Sequence, residues 1–292
     1  MRRPLAITVL AGMVFLAMVG SACSNDKLSV FVSIVPQRYF VQQIGRDLVD
    51  VHAMVPPGAD PHTYEPKPRQ MVAIATAKLY FAIGIEFEAA KLEKIVSTNP
   101  QIRVIHTEQG IEKIPMTDSF HQEGGDHSRH RGLDPHIWLS PPLVMIQART
   151  ILDVLQEADP ENRSAYEANY AAFITRLVDL DTELKAIFAG RQGLRFMVFH
   201  PSWGYFARSY NLVQVPIEME GKTPKPAQLK ELIELARRNG IRVVFVQPQF
   251  SAKSADLIAR EIGGEVAVVD PLEENWAENL REVARKFKAA LK

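Results

Sequence analysis

The sequence predicts an α/β protein made of two lobes that are joined by a single long helix. In each half, short apolar segments alternate with helical segments, which is typical of parallel sheets covered on both faces. Between the halves, residues 159–189 lack glycine and carry apolar residues at three-and-four spacing, which indicates a helix roughly 45 Å long. We therefore predict an N-terminal lobe over residues 24–158, a linking helix over 159–190 and a C-terminal lobe over 191–292.

Residues 1–23 have the pattern of an export signal. Arg2 and Arg3 precede an apolar run, and small residues lead to Cys23, the only cysteine of the chain. Cys23 resembles a bacterial lipobox cysteine, which is acylated and becomes the mature N-terminus. The alternative is a transmembrane anchor, because the run is near the lower length limit for a span. Both interpretations place the mature chain outside the cytoplasm, in the periplasm or at the cell surface, and we expect a lipid anchor at Cys23.

The elements of both lobes follow from this alternation. Strands of the first lobe are predicted at residues 28–35, 48–55, 79–83, 102–106 and 136–139. Its helices are predicted at residues 36–46, 69–77, 86–96 and 143–156. Strands of the second lobe are predicted at residues 194–199, 213–217, 241–246 and 265–269, and helices at 203–210, 226–238, 254–262 and 276–291. Ligands of such sheets bind beyond the carboxyl ends of the strands, so polar residues there carry the functional prediction.

The linking helix has signals at both ends. Asp159 is suited to cap its N-terminus, with Pro160 at the first helical position, and Gly190 ends it. The predicted buried face consists of Tyr166, Tyr170, Phe173, Ile174, Leu177, Leu180, Leu184, Ile187 and Phe188.

Charge excludes one class of partner. The chain has 34 basic and 34 acidic residues, without a basic stripe or interleaved aromatic and basic residues. Nucleic acid is therefore not an expected partner. We expect a monomer.

Four residues are candidate metal ligands. The tripeptide Asp-Pro-His occurs twice and contains His62 and His136, while His200 and Asp270 each end a predicted strand of the second lobe and precede a proline. Proline fixes the local backbone, and an aspartate two residues before a histidine can accept a ring N–H and orient the ring. Three imidazoles and one carboxylate suit tetrahedral Zn²⁺.

These motifs resemble those of the substrate-binding lipoproteins of zinc and manganese ABC importers. The resemblance rests on residues 58–66, 134–141, 199–206 and 269–272, together with Gln247-Pro248-Gln249-Phe250, and covers essentially the whole mature chain. It implies two α/β lobes, a rigid linking helix, a metal in the cleft with His62, His136, His200 and Asp270 as ligands, and delivery of the metal to a membrane permease. Gln247 stands where we expect many relatives to carry Glu, so one charge near the site is predicted to be missing.

Other functions stay open at this point. His200 favours zinc, because manganese receptors are expected to carry a carboxylate there. The alternatives are a manganese or iron receptor, a metal-dependent adhesin on the same scaffold, and a zinc hydrolase. A hydrolase is disfavoured because the chain has no His-Glu-x-x-His motif and four protein ligands would close the site. We therefore predict a binding protein that is not an enzyme.

The loop at residues 119–131 carries His121, His127 and His130 and resembles a shortened form of the His-rich loop of zinc-specific relatives. It either captures metal loosely or is a solvated loop. We predict that deletion of residues 122–130 leaves one tight zinc site and removes weaker additional zinc, measured by titration with Zn²⁺. Loss of the tight site would show that the ligands lie elsewhere.

Overall fold

Each half of the chain forms a four-stranded parallel sheet that is flanked by helices. The structure, a computed structural model, describes residues 27–116, 132–218 and 222–291. The N-lobe strands are β1 (Leu28–Val32), β2 (Val49–Ala53), β3 (Leu79–Ala82) and β4 (Arg103–His106), in the spatial order β2-β1-β3-β4. The C-lobe strands are β5 (Arg195–Val198), β6 (Val213–Pro216), β7 (Val243–Val246) and β8 (Glu265–Val268), in the order β6-β5-β7-β8. This confirms the predicted fold class.

The helices connect the strands and join the lobes. Those of the N-lobe are α1 (Val35–Gly45), α2 (Pro68–Ile74), α3 (Glu86–Thr98) and α4 (Pro141–Ala158). The linking helix is α5 (Arg163–Ile187), and the C-lobe contains α6 (Gly204–Ser209), α7 (Pro226–Arg238), α8 (Lys253–Glu261) and α9 (Trp276–Ala290). No helix within the described residues is both long and apolar enough to cross a membrane. The predicted domain boundaries stay a prediction.

One predicted strand was wrong. The segment at 136–139 is the 3-10 helix Ile137–Leu139, followed at once by α4. Its backbone N–H groups have local partners: that of His136 donates to Asp134 Oδ1 at 2.9 Å, and that of Ile137 donates to the carbonyl of Pro135 at 2.8 Å. The segment therefore needs no neighbouring strand.

The linking helix begins differently from the prediction. A 3-10 turn, Pro160–Asn162, precedes α5, and Pro160 is the first residue of that turn. Asp159 does not cap α5 through a backbone N–H, because its Oδ2 accepts hydrogen bonds from Asn162 and from the Tyr166 hydroxyl. The predicted apolar face is confirmed: Tyr166, Phe173, Leu177, Leu180, Leu184 and Phe188 are buried, and Tyr170, Ile174 and Ile187 pack beside them.

The two lobes share a hydrophobic core. Helix α5 packs against α1 and α4 on one side and against α9 on the other, and a single cluster of buried residues extends through both lobes. Trp276 of α9 lies 5.0 Å from Phe40 of α1, measured between ring centroids. A second cluster is confined to the C-lobe, around β7, α7 and α8. The lobes are therefore joined by direct packing as well as by the helix.

Two tryptophans tie the lobes together by hydrogen bonds. The indole N–H of Trp138 donates to the carbonyl of Pro271 at 2.7 Å, and that of Trp276 donates to the carbonyl of Trp138 at 2.8 Å. Arg38 of α1 also pairs with Glu274 of the C-lobe. The contacts of Pro271 and Glu274 join the N-lobe to the segment between β8 and α9, and the contact of Trp276 joins it to the first residue of α9.

We predict that Leu177→Ala lowers the free energy of unfolding by about 2–5 kcal/mol, because Leu177 is buried in the shared core. The matched control is Val178→Ala, since the adjacent Val178 is 48% exposed and its loss should cost within about 0.5 kcal/mol. Urea unfolding followed by circular dichroism measures both variants. Equal losses would contradict the assignment of the buried face.

Candidate metal centre

Three histidines from both lobes meet at one point. His62 lies in the connection between β2 and α2, His136 precedes the 3-10 helix Ile137–Leu139, and His200 follows β5. One ring nitrogen of each lies within 4.8 Å of the others. The ring centroid of His200 is 5.1 Å from that of His62 and 5.2 Å from that of His136.

Nδ1 of each imidazole lies within hydrogen-bond distance of a carboxylate oxygen. Nδ1 of His136 lies 2.8 Å from Asp134 Oδ1, Nδ1 of His200 lies 2.8 Å from Glu218 Oε1, and Nδ1 of His62 lies 3.1 Å from Glu86 Oε2. A carboxylate accepts the Nδ1 proton and so leaves the Nε2 lone pair free for a metal. In His200, Nε2 is buried and has no hydrogen-bond partner within the described part of the chain.

The two aspartates of the repeated Asp-Pro-His tripeptide differ in whether they contact the histidine ring. Asp134 accepts both the backbone N–H and the ring N–H of His136, which confirms the predicted orienting contact. Asp60 accepts the backbone N–H of His62 at 2.9 Å and the Thr63 hydroxyl, so the predicted contact between Asp60 and the His62 ring was wrong. The sequence signal for Glu86, the actual partner of that ring, was its place directly after the turn that ends β3.

Sequence reasoning also missed Glu218. It follows β6 by two residues, so the rule that functional side chains follow parallel strands could have found it. Gln247, where a missing charge was predicted, holds the backbone of His200 instead: its Oε1 accepts the N–H at 3.2 Å and its Nε2 donates to the carbonyl at 2.6 Å. The carboxylate beside His200 therefore comes from Glu218 and not from residue 247.

Burial differs among the three rings. The side chain of His62 is 27% exposed, whereas those of His136 and His200 are 6% and 7% exposed. Gly204 allows the close approach of Asp134, because a Cβ at this position would lie 2.5 Å from Asp134 Oδ2. The cavity that the three rings line, together with residues such as Phe250 and Leu272, has a volume of about 20 Å³, enough for a water-sized occupant.

Burial lowers the pKa of His136, because the imidazolium loses its hydration. The carboxylate of Asp134 opposes this shift through charge and hydrogen bonding, and the other two histidines add to the lowering. His136 is therefore held in the neutral form that binds a metal.

Asp270, the fourth predicted ligand, lies outside the histidine cluster. It follows β8, and its Oδ1 accepts hydrogen bonds from Gln249 Nε2 and from the backbone N–H of Leu272, both at 2.9 Å. The cavity is lined by Leu272 and Gln249 but not by Asp270. His52 and His106, expected to be ordinary histidines, pair with Asp50 and Glu108 away from this cluster.

Other predicted features lie outside the described residues. These are the signal peptide with Cys23 and the loop that carries His121, His127 and His130.

Comparison with known proteins identifies the family. A family model described as "ZnuA: Zinc-uptake complex component A periplasmic" matches residues 30–290. The chain belongs to this family. It is 31% identical over 261 residues to "High-affinity zinc uptake system protein ZnuA" of Bacillus subtilis (strain 168), which covers 87% of this chain and 82% of that protein.

Further relatives agree with this assignment. The chain is 28% identical to "Zinc-binding lipoprotein AdcA" of Streptococcus pneumoniae (strain ATCC BAA-255 / R6), over 86% of this chain and 52% of that protein, so it spans about half of that relative. A solved structure, "Crystal structure of ZnuA", shares 47% identity with a TM-score of 0.85 over 91% of this chain and all of that one. The laminin binding protein (Lmb) of Streptococcus agalactiae is 24% identical, with a TM-score of 0.77 over 91% of this chain and all of that one, and supports the fold alone.

We predict that the metal-free protein loses stability as pH falls below about 6.5, the ordinary histidine pKa in the unfolded chain. Since the pKa of His136 is lower in the folded state, the unfolded chain binds a proton that the folded chain does not. This contribution is complete above about pH 6.5 and is lost progressively down to the folded pKa. Urea unfolding near pH 7.5 and pH 5.5 should show a smaller loss in His136→Gln than in the native chain. Equal losses in both proteins would contradict the role of His136.

Proposed function

We propose that this chain is the extracytoplasmic receptor of an ABC importer and binds one Zn²⁺ through His62, His136 and His200. The observation that carries the proposal is the convergence of three carboxylate-backed imidazoles within 4.8 Å. Zinc–nitrogen bonds of about 2.0–2.1 Å in tetrahedral geometry imply nitrogen separations of about 3.3 Å. Each ring therefore needs to move inward by only about an ångström to enclose the ion.

The carboxylates also supply charge compensation. Three neutral imidazoles leave the full +2 charge on the ion, and a buried charge is unfavourable unless opposite charge lies nearby. Asp134 and Glu218 are buried beside two of the rings, and the exposed Glu86 lies beside the third. Nitrogen donors favour Zn²⁺ over Mn²⁺, which supports zinc as the cargo over the manganese or iron alternative.

Receptor function fits better than hydrolysis. Members of this family are receptors for the metal and not enzymes, in agreement with the sequence prediction. A catalytic zinc needs an open position, a substrate and a general base. The cavity is small, at about 20 Å³, and the carboxylates of Glu86, Asp134 and Glu218 already bond the imidazoles. The site is therefore suited to hold an ion and release it.

The location follows from the same assignment. As a member of a periplasmic zinc-uptake family, the chain delivers its cargo to a membrane permease. Cys23 is the residue through which it is tethered, a proposal supported by the lipobox-like end of the apolar N-terminal run and by the relative named a lipoprotein. We propose that it acts as a monomer, since both lobes of a single chain supply the three histidines.

We predict one tightly bound zinc per chain in protein purified without added metal. His200→Ala should lower the affinity for zinc by more than about 100-fold. Loss of a ligand should exceed the roughly 10–100-fold effect that is typical of residues that hydrogen-bond the ligands. The matched control is His52→Ala, because His52 is an exposed histidine paired with Asp50. Elemental analysis and competition with a chelator measure both variants. Absence of zinc from the native chain, or an equal loss of zinc affinity in both variants, would contradict the proposal.

A further inference from the structure

The carboxylate of Asp270 is held by a side-chain amide and a backbone N–H, and not by the histidine cluster. Gln249 is the only side chain within the described residues that hydrogen-bonds this carboxylate, at 2.9 Å from Nε2 to Oδ1. We propose that Gln249 is a specificity-determining residue: it keeps Asp270 out of the metal's coordination and thereby favours Zn²⁺ over Mn²⁺. This inference rests on the proposed function as a zinc receptor. We call the contact between the two side chains the Gln249–Asp270 latch.

The orientation of the Gln249 amide supports the latch. An ionised carboxylate only accepts hydrogen bonds, so the amide must present its NH₂ group to Asp270. Its Oε1 is then buried, and it has no partner in the part of the chain that the structure describes. A buried unpaired oxygen is unfavourable, so the bond to Asp270 is the contact that accounts for this arrangement.

The segment that carries Gln249 is held on both sides. Gln247, two residues earlier, bonds the N–H and the carbonyl of His200. Phe250, the next residue, stacks on the His200 ring with 4.9 Å between centroids and 23° between planes. Gln249 therefore has a position that is fixed relative to His200.

The segment that carries Asp270 is held independently. The carbonyl of Pro271 accepts the indole N–H of Trp138 from the other lobe, and the carbonyl of Asp270 itself accepts the side-chain amide of Asn279 at 2.7 Å. Pro271 and Leu272, rather than Asp270, line the cavity. With both backbones fixed, two contacts hold the carboxylate: the latch, and the backbone N–H of Leu272, which also donates to Asp270 Oδ1 at 2.9 Å. The latch is the one of the two that a side-chain substitution can remove.

The consequence concerns the donor set. With the latch closed, the described site offers three imidazole nitrogens, a set that suits Zn²⁺. A released Asp270 would add a carboxylate oxygen, which is a donor that Mn²⁺ prefers. Opening the latch should therefore change selectivity more than it changes zinc binding.

The test compares the full mature chain with Gln249→Leu, Asp270→Ala and the double variant. Leucine is an apolar residue that cannot donate a hydrogen bond, and Gln249→Ala serves as a second variant. Circular dichroism checks that each variant folds. Affinities for Zn²⁺ and Mn²⁺ come from competition with chelators, and the spectrum of bound Mn²⁺ from electron paramagnetic resonance.

We expect Gln249→Leu to raise Mn²⁺ affinity relative to Zn²⁺ by about tenfold, the lower end of the effects seen for residues behind metal ligands. The double variant should return to the native ratio, and Asp270→Ala alone should leave zinc affinity unchanged. An unchanged ratio in both Gln249 variants would overturn the latch, as would loss of zinc in Asp270→Ala alone. Absence of zinc in the native chain would instead overturn the proposed function, and the latch with it.

Discussion

The proposed receptor function depends on one constraint: three imidazoles from two lobes must lie close enough to share one ion. A ring that rotates freely, or that carries its proton on the wrong nitrogen, is not a ligand. The carboxylates of Asp134, Glu218 and Glu86 each fix one ring through Nδ1. The same carboxylates that orient the rings would also lower the free energy of a cation bound between them, because they place negative charge beside it. The same three carboxylates therefore provide both the orientation of the rings and the charge compensation.

This arrangement is useful only if the lobes keep their spacing. Sharp bends of a helix require proline, glycine pairs or an inserted bulge, and α5 contains none of the first two. Direct contacts add to this stiffness, since the indole N–H of Trp138 donates to the carbonyl of Pro271, which follows β8, and that of Trp276 donates to the carbonyl of Trp138. The shared core makes wide opening costly, because it would expose apolar surface on both lobes.

The sequence predicted the sheets, the linking helix and the three histidines because each has a local cause. Apolar periodicity places the elements, and the carboxyl ends of parallel strands place His200. Partners from distant segments were missed. Glu86 is 24 residues from His62, and Glu218 is 18 from His200, so only the folded chain brings them together. The segment 137–139 was misassigned because an apolar run of this length fits a strand or a helical turn equally well, and the Asp134 side chain decided between them.

The asymmetry of burial among the histidines indicates how an ion can enter a rigid protein. His136 and His200 are buried with buried carboxylates, and their backbones are held by Asp134 and Gln247. His62 is the exposed one of the three proposed ligands, and its partner Glu86 is also exposed, with 76% of its side chain accessible. In the proposed site, two ligands would thus be in place before the ion arrives, and the third lies at the surface in a connection without helix or strand. Exchange of the ion therefore requires movement of one connection and not of a lobe, which is compatible with a shared core that stays closed.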